Sequence, residues 1–201
     1  MAQRSLYELM HGSLTVVAKQ HLVYHFAGAG QENGKNWYST GSGSDLWDDE
    51  GMKLEPTSGN MINHFNNKRQ YAKRASRCIW VSRLEKVTSG SMYVGLISDY
   101  TATSSDQSMF FIHGNGAAMV TADDSGYSYC NTSDDGNAEG IYPDKTTTWE
   151  IENLASSTNG YVNGVLNSSS TLRLSSDDFQ PFMLVANGAI GHANYCEVWN
   201  T

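Results

Sequence analysis

Two glutamates separated by a single residue, Glu150 and Glu152, are the side chains whose spacing most clearly suggests chemistry. Retaining glycoside hydrolysis uses two carboxyl groups about 5–5.5 Å apart, one of them an acid with a raised pKa. Trp149 and Ile151 alternate with these glutamates in the sequence. A strand with one buried and one solvated side produces the same pattern, so we favour a non-catalytic interpretation of the pair.

A basic segment is the second candidate site. Five of the 13 cationic residues lie within ten positions, with Tyr71 among them. Such a segment can dock on an acidic protein surface, a phosphate group or a nucleic acid, although a solvated loop is the commoner outcome. The candidate docking residues in this segment are Lys68, Arg69, Lys73, Arg74 and Arg77.

Aromatic side chains in or beside predicted loops form a third candidate site. Aromatic rings can stack on sugar rings, which gives a glycan-binding interpretation. Aromatic residues also fill the cores and rims of β-sandwiches, and this structural role competes with the first. The candidate glycan-binding residues are Trp37, Tyr38, Trp47, Tyr127 and Tyr129.

Acidic turns offer weak calcium candidates at Asp134, Asp135 and Asn137, and a neighbouring turn contains Asp123 and Asp124. Calcium prefers carboxylate and carbonyl oxygens, but this spacing is not that of an EF-hand, and such residues are common in ordinary turns. The six histidines form no HExxH motif, and no GxSxG motif marks a nucleophilic serine. The sequence therefore predicts no cofactor, with calcium as an alternative.

The N-terminal segment predicts a short helix, because Ser5 and Glu8 can form a capping box. A helix of one or two turns is not stable alone in water, so its apolar residues must pack on something. We therefore expect residues 1–20 to form an arm that docks on the domain or on a neighbouring protein. The apolar docking residues of this arm are Leu6, Leu9 and Met10.

The rest of the chain predicts short strands separated by turns. Cys78–Glu85 alternates between two faces, and Met92–Ile97 follows across a turn, so we expect an antiparallel pair. In Tyr161–Leu166, Asn163-Gly164 supplies the two positive φ angles of a type I′ hairpin turn. About a dozen such strands predict an all-β antiparallel sandwich that spans residues 21–201 as one domain.

The C-terminal half carries a family resemblance. Its residues are Trp149–Glu152, the Val162–Leu166 hairpin, Leu172, Gln180-Pro181-Phe182 and the terminal Tyr195–Thr201. This order resembles concanavalin A-like and laminin-G-like jelly rolls, which implies a jelly-roll sandwich for most of the chain. The hydrolases of this fold place catalytic carboxylates at alternate positions of one strand, but further acidic residues surround them there and are missing here.

A second resemblance rests on Phe65-Asn66, on Arg69-Gln70-Tyr71 and on the terminal aromatic-Asn-Thr. These residues are similar to a set of marine bacteriophage proteins. The resemblance implies a virion surface protein, such as a capsid decoration protein or a fibre component, that is made in the host cytoplasm. Its partners would be other virion proteins or copies of itself.

Charge and hydropathy argue against nucleic acid and a membrane as partners. The net charge of −8 disfavours nucleic acid, and no window approaches the roughly 18 apolar residues of a membrane span. Residues 1–98 carry 11 basic and 8 acidic side chains, whereas residues 99–201 carry 2 basic and 13 acidic side chains. This uneven distribution of charge could orient one copy of the chain against the next in an assembly. The cysteines Cys78, Cys130 and Cys196 are odd in number and far apart, which predicts buried thiols and synthesis in a reducing cytosol.

The sequence thus predicts a non-enzymatic virion structural protein that assembles through its N-terminal arm and basic segment. Two alternatives stay open. The first is a lectin-like adhesion module that recognises a host surface polysaccharide through its aromatic residues. The second is a jelly-roll glycoside hydrolase that uses Glu150 and Glu152.

Overall fold

The computed structural model describes residues 21–26, 37–65, 71–72, 76–87, 90–98, 107–113, 116–123, 126–131, 145–171, 178–186 and 188–200. These residues form fourteen β-strands and contain no helix long and apolar enough to cross a membrane. The strands are β1 His21–His25, β2 Trp37–Asp48, β3 Gly51–Phe65, β4 Tyr71–Ala72, β5 Ser76–Val87, β6 Ser91–Ile97, β7 Gln107–His113, β8 Gly116–Asp123, β9 Gly126–Asn131, β10 Thr147–Asn153, β11 Thr158–Val162, β12 Val165–Ser170, β13 Asp178–Ala186 and β14 Ala189–Asn200.

The strands build two layers. Layer A has the order β12-β11-β10-β5-β14, and β1 pairs with the second half of β14. Layer B has the order β3-β13-β6-β7-β8-β9, and β2 pairs along β3. The layers face each other, because β5 contacts β6, β10 contacts β7 and β14 contacts β13 without pairing with them. Two facing antiparallel layers are the arrangement of a jelly-roll sandwich.

The long strands β3 and β14 join the two layers along one side. The first half of β3 pairs with β14, where Met52 lies opposite Ala193. Its second half pairs with β13, where Ile62 lies opposite Leu184. The continuous strand therefore fixes the position of layer B relative to layer A.

Alternation along each strand sends one set of side chains between the layers. Trp80, Trp149, Phe110 and Met92 are at most 2% exposed and belong to one hydrophobic cluster. Full burial of one large apolar side chain contributes about 1.5–3 kcal/mol. The apolar filling between the layers is therefore the main source of stability.

Hydrogen bonds join the layers within the core. Asn153 of β10 is fully buried and donates through Nδ2 to Ser76 Oγ at 3.2 Å and to Ser108 Oγ at 3.1 Å. Its Oδ1 accepts from Thr158 at 3.0 Å. Ser108 belongs to layer B and the other residues to layer A, so this network sets the register between the layers.

The predicted all-β sandwich is confirmed, and so is the predicted hairpin turn. Asn163 and Gly164 have φ angles of 49° and 79°, as a type I′ turn requires. The turn is also tied to β10, because Asn163 N donates to Thr148 O at 2.8 Å and Thr148 N donates to Asn163 Oδ1 at 3.0 Å. The predicted helical arm, residues 1–20, lies outside the described residues.

The predicted antiparallel pair of Cys78–Glu85 with Met92–Ile97 is wrong. The first segment lies in β5, which pairs with β10 and β14, and the second lies in β6, which pairs with β7 and β13. The two strands face each other across the core. Alternation shows that each strand buries one side, but it does not distinguish hairpin partners from strands in opposite layers.

Candidate functional site

The two outer surfaces of the sandwich differ in chemistry, and both hold candidate residues. The charged face is the outer surface of layer A and comprises Arg77, Glu150, Glu152, Tyr161, Tyr195, Glu197 and Trp199. The aromatic face is the outer surface of layer B and comprises Tyr93, Phe111, Leu184, Gln107 and Gln180. The residues that alternate with these two sets lie in the core, among them Ile151, Val198, Val94 and Phe110.

An ion pair dominates the charged face. Arg77 Nε donates to Glu150 Oε1 at 2.6 Å, and a terminal nitrogen of the same guanidinium also contacts that oxygen. The guanidinium lies 5.3 Å from the centre of the Trp199 ring, within the range of a cation–π interaction. Glu150 is 7% exposed, so the prediction that both glutamates lie on a solvated surface is wrong for this residue. Arg77 and the neighbouring strands cover it.

The tyrosines of the charged face donate hydrogen bonds to its other two carboxylates. Tyr161 donates to Glu152 Oε2 at 3.0 Å, and Tyr195 donates to Glu197 Oε2 at 2.5 Å. Burial raises the pKa of both phenols, and the hydrogen bond to the neighbouring carboxylate raises it further. Both phenols therefore stay protonated and keep donating at neutral pH.

The two glutamates of the hydrolase alternative are thus engaged in bonds that stabilise the sheet. Glu150 pairs with Arg77, and Glu152 accepts from Tyr161 and, at 3.4 Å, from Asn159 Nδ2. A general acid must reach the leaving group, and a nucleophile must reach the sugar. A carboxylate that is nine-tenths buried under a guanidinium is poorly placed for either role.

The aromatic face is different. Tyr93 and Phe111 stack with their ring centres 4.8 Å apart, and Phe111 lies 5.1 Å from the His113 ring. Tyr93, Phe111 and Leu184 are partly exposed and pack on four buried residues. These four are Ile97, Met109, Val120 and Phe182. The outer side of layer B therefore carries an apolar cluster with a buried centre and partly exposed rings at Tyr93 and Phe111.

Two glutamines flank Ile97 of this cluster. Gln180 lies opposite Ile97 on one side and Gln107 lies opposite it on the other. As whole residues they are 7% and 8% exposed. Strands lie about 4.8 Å apart, so the two Cα atoms are roughly 10 Å apart. Each amide can both donate and accept hydrogen bonds beside the apolar cluster.

Three of the five predicted aromatic residues share cross-strand rows with the aromatic face. Tyr38 lies opposite His64, which lies opposite Phe182. Tyr129 lies opposite Val120 and Tyr127 lies opposite Ala122, which itself lies opposite Gln107. The backbone therefore brings Tyr38, Tyr127 and Tyr129 to the layer that carries the aromatic face.

Of the other two predicted aromatic residues, Trp37 belongs to the core, which corrects the glycan-binding prediction for it, and Trp47 packs against the core. Trp37 is 3% exposed and makes an edge contact with Trp80 at 5.8 Å. Trp47 is partly buried and packs 5.7 Å from Phe26. Both lie in β2 and not in loops. A strand that contains several glycines and serines has the composition of a loop. The sequence therefore led to the wrong prediction that these two residues lie in loops.

Arg77 is the one predicted docking residue that the structure describes. It lies within β5 and not in a loop, and it pairs with Glu150. Its role in docking stays a prediction. The docking residues Leu6, Leu9, Met10, Lys68, Arg69, Lys73 and Arg74 lie outside the described residues, as do the calcium candidates Asp134, Asp135 and Asn137. In the described part of the chain, no cluster of three or more His, Cys, Asp or Glu residues could hold a metal ion.

Sequence reasoning missed residues on both faces. Tyr195, Glu197 and Trp199 alternate with Cys196 and Val198, and this pattern could have placed them on one outer face. Gln107 and Gln180 left no such signal. A single glutamine at the start of an apolar strand is ordinary, and only the pairing of both β7 and β13 with β6 brings the two together.

The fold is shared with structures of carbohydrate-active and carbohydrate-binding proteins. A β-glucanase of Bacillus licheniformis matches with a TM-score of 0.64 and 11% identity, over 90% of this chain and 98% of that chain. The carbohydrate recognition domain of Emp47p matches with a TM-score of 0.61 and 13% identity, over 90% and 94%. Rv0315 of Mycobacterium tuberculosis, described as a pseudo β-1,3-glucanase, matches with a TM-score of 0.65 and 9% identity, over 90% and 98%.

No family model and no curated protein sequence matches this chain. At identities of 9–13% the structural matches show the fold alone. The chain therefore has the concanavalin A-like jelly-roll fold, which is found in both lectins and glucanases.

Proposed function

We propose that the chain is a non-catalytic glycan-binding module whose ligand lies on the aromatic face. The observation that carries this proposal is the stacked, partly exposed pair of rings of Tyr93 and Phe111, which lies in the same layer as the amide side chains of Gln107 and Gln180. Sugars present two kinds of surface, C–H faces and hydroxyl groups. The aromatic rings can stack on the C–H faces, and the amides can hydrogen-bond to the hydroxyl groups.

Each amide offers two N–H donors and one carbonyl acceptor, and each sugar hydroxyl both donates and accepts. A sugar hydroxyl beside Gln107 or Gln180 can therefore exchange hydrogen bonds with the amide. Such amides favour ligands rich in hydroxyl groups over purely apolar ones.

The distribution of carboxylates supports a binding role and not hydrolysis. On the charged face, Glu150 and Glu152 are engaged by Arg77, Tyr161 and Asn159. On the aromatic face, Asp178 shares the alternation of Gln180 and Phe182 along β13, and the described outward positions of β6, β7 and β8 hold no carboxylate. The pair of Glu150 and Glu152 is therefore not the freely accessible pair of carboxyl groups that glycoside hydrolysis requires.

The fold gives this proposal a consistent setting. The carbohydrate recognition domain of Emp47p and a carbohydrate-binding module of Bacillus subtilis share the jelly roll, the latter with a TM-score of 0.53. Because one fold hosts many functions, the proposal depends on the site chemistry and not on these matches. Location on a virion surface and assembly with virion proteins stay predictions from the sequence resemblance.

Affinity gel electrophoresis against a panel of soluble polysaccharides tests the proposal. We expect at least one polysaccharide to retard the wild-type chain, and the double variant Gln107→Ala/Gln180→Ala to bind it at least tenfold more weakly. Asn159→Ala is the matched control, because this amide on the charged face already bonds to Glu152 and Ser169. Its binding should equal that of the wild type.

Three outcomes would overturn the proposal. The first is wild-type migration that no polysaccharide in the panel changes. The second is equal binding by the double variant and the wild type. The third is release of new reducing ends from a bound polysaccharide, which would show that the chain is an enzyme.

A further inference from the structure

Two cysteines meet on the core side of layer A, although they are far apart in the sequence. Cys78 of β5 lies opposite Val198, and Cys196 of β14 lies opposite Trp80, so the two cysteines are diagonal neighbours on paired strands. Both are free thiols, both are 0% exposed, and both belong to the same hydrophobic cluster. Their side chains therefore lie on the same side of the sheet, between the two layers.

The two thiols are close enough to interact. A hydrogen bond joins the thiol of Cys78 to that of Cys196. In a regular sheet, diagonal Cα atoms lie about 7–8 Å apart, and a disulfide spans at most roughly 7 Å. Strand twist shortens one of the two diagonals, and the hydrogen bond places the cysteines on the short one. A β-bulge between Ala193 and Tyr195 also increases the twist beside Cys196.

From this geometry we infer that Cys78 and Cys196 form a disulfide when the chain folds in an oxidising environment, and that the bond links β14 covalently to β5. The position is central to the fold, because β14 also pairs with β3, the strand that joins the two layers. A bond between cysteines so far apart in the sequence restrains a long segment of the unfolded chain, and such bonds stabilise a fold most. Glycan binding on the aromatic face does not depend on this bond.

Thiol–disulfide exchange with glutathione disulfide supplies the chemistry. One cysteine thiolate attacks a sulfur of glutathione disulfide, which forms a mixed disulfide and releases one glutathione thiolate. The second cysteine thiolate attacks the protein sulfur of the mixed disulfide and releases the second glutathione thiolate. The cysteines lose two electrons and two protons, and the two glutathione molecules gain them.

Burial controls when this exchange can occur. Burial raises the pKa of the Cys196 thiol well above its usual range, and the neighbouring Cys78 thiol raises it further. The thiolate is the attacking species, so the folded dithiol reacts slowly with an oxidant. The bond therefore forms while the chain folds, before the two layers enclose the sulfur atoms.

Refolding of the reduced, denatured chain in a glutathione redox buffer, followed by peptide mass mapping, tests the inference. Cleavage after Lys and Arg puts the three cysteines on separate peptides, residues 78–83, 87–145 and 174–201. We expect a refolded monomer that is two hydrogen atoms lighter than the reduced chain, with peptide 78–83 linked to peptide 174–201 and with Cys130 free to be alkylated. The folded, reduced chain in the same buffer should acquire the bond at least tenfold more slowly.

Cys130→Ser is the matched control, because Cys130 lies in β9 of layer B. This variant should form the bond as the wild type does, whereas Cys78→Ala and Cys196→Ala should not. The oxidised wild type should melt about 5–10 °C above its reduced form. Circular dichroism shows whether each variant is folded, and the mass map of the wild type does not depend on them.

Several results would overturn the inference. Three reduced cysteines in the refolded wild type would do so, as would a bond that contains Cys130 or joins two chains. Equal melting temperatures of the oxidised and reduced wild type would show that a bond between β5 and β14 does not stabilise the fold. Equally fast oxidation of the folded and the refolding chain would show that burial does not control the reaction.

Discussion

The charged face and the aromatic face are built on the two sides of one sandwich, yet their polar groups behave in opposite ways. On the charged face the carboxylates are matched within the sheet, as in the pair of Glu150 with Arg77 and that of Glu152 with Tyr161. On the aromatic face the uncharged amides of Gln107 and Gln180 flank Ile97 in the same layer as the partly exposed rings of Tyr93 and Phe111. Polar groups that satisfy each other stabilise a fold, whereas amides beside partly exposed rings are available to a ligand.

This comparison also shows why a pair of glutamates is a poor indicator of catalysis. Glu150 and Glu152 have the spacing of a catalytic pair, but their partners lie on β5 and β11. Arg77 is 73 positions away from Glu150 in the sequence. The role of a carboxylate depends on such distant partners, and spacing within one strand does not reveal them.

We expect the largest effect on stability from a variant that removes the ion pair of the charged face. Arg77→Ala leaves Glu150 buried without its cation, and removal of one partner of a fully buried pair costs about 3–5 kcal/mol. The Arg77 side chain is 37% exposed, so we expect a smaller loss of unfolding free energy, about 2 kcal/mol. Urea unfolding measures this loss, and glycan binding should stay at the wild-type level.

Arg83→Ala is the control for that variant. Arg83 lies 3.5 Å from Glu50, whose side chain is 74% exposed, so its removal should cost below about 1 kcal/mol. If Arg77→Ala were no more destabilising than Arg83→Ala, the ion pair with Glu150 would not support the sheet.

The next largest effect is expected on the aromatic face. Phe111→Leu and Tyr93→Leu keep an apolar side chain but remove the ring, so stacking on a sugar is lost. We expect the affinity for the bound polysaccharide to fall about tenfold for each, which corresponds to about 1.4 kcal/mol. Affinity electrophoresis measures the change. Tyr161→Leu removes a ring from the charged face and should leave affinity intact, and an equal loss there would erase the distinction between the two faces.

A smaller effect concerns acid stability at the other end of layer A. His192 is 5% exposed and bonds to Glu85, and this bond lowers the pKa of Glu85 below its usual 4.5. Because the folded-state pKa is the lower one, the contribution is present above about pH 4.5 and is lost as pH falls through the folded value. The Glu85 side chain is 40% exposed, so the contribution is about 1 kcal/mol or less.

Urea unfolding from pH 7 to pH 3 measures this contribution. The wild type should lose more stability over that range than His192→Gln, and the two curves should converge at the acidic end. If the unfolding free energies of the two proteins ran parallel across the whole pH range, the bond between His192 and Glu85 would contribute nothing to stability.

The smallest effect is expected from the two glutamates of the hydrolase alternative. Glu150→Gln/Glu152→Gln should bind the polysaccharide within about twofold of the wild type, because binding occurs on the opposite layer. Neither protein should release reducing sugars. Turnover by the wild type that this double variant abolishes would restore the hydrolase interpretation.

The fold was predictable from the sequence because its signals are local. Alternation in Cys78–Glu85 and the Asn163-Gly164 turn act within a few residues, and both appear in the structure. Strand pairing was not predictable in the same way. β5 and β6 are neighbours in the chain but lie in opposite layers, because each strand finds its hydrogen-bond partners among distant segments.

The candidate site was less predictable than the fold for a related reason. Tyr38, Tyr127 and Tyr129 were selected for their residue type, and the backbone brings them to the layer of the aromatic face. Trp37 was selected on the same ground and fills the core. Residue type gives the chemistry that a side chain can do, but burial and register determine whether a ligand can reach it.

The central claim is that a glycan binds the aromatic face and leaves the charged face untouched. Titration of the isotope-labelled chain with the tightest-binding oligosaccharide, followed by amide NMR spectra, tests this claim most directly. We expect shifts in β6, β7 and β13, including the side-chain amides of Gln107 and Gln180, and an unchanged indole signal from Trp199. Shifts centred on Arg77, Glu150 and Trp199, with Gln107 and Gln180 unmoved, would contradict the account.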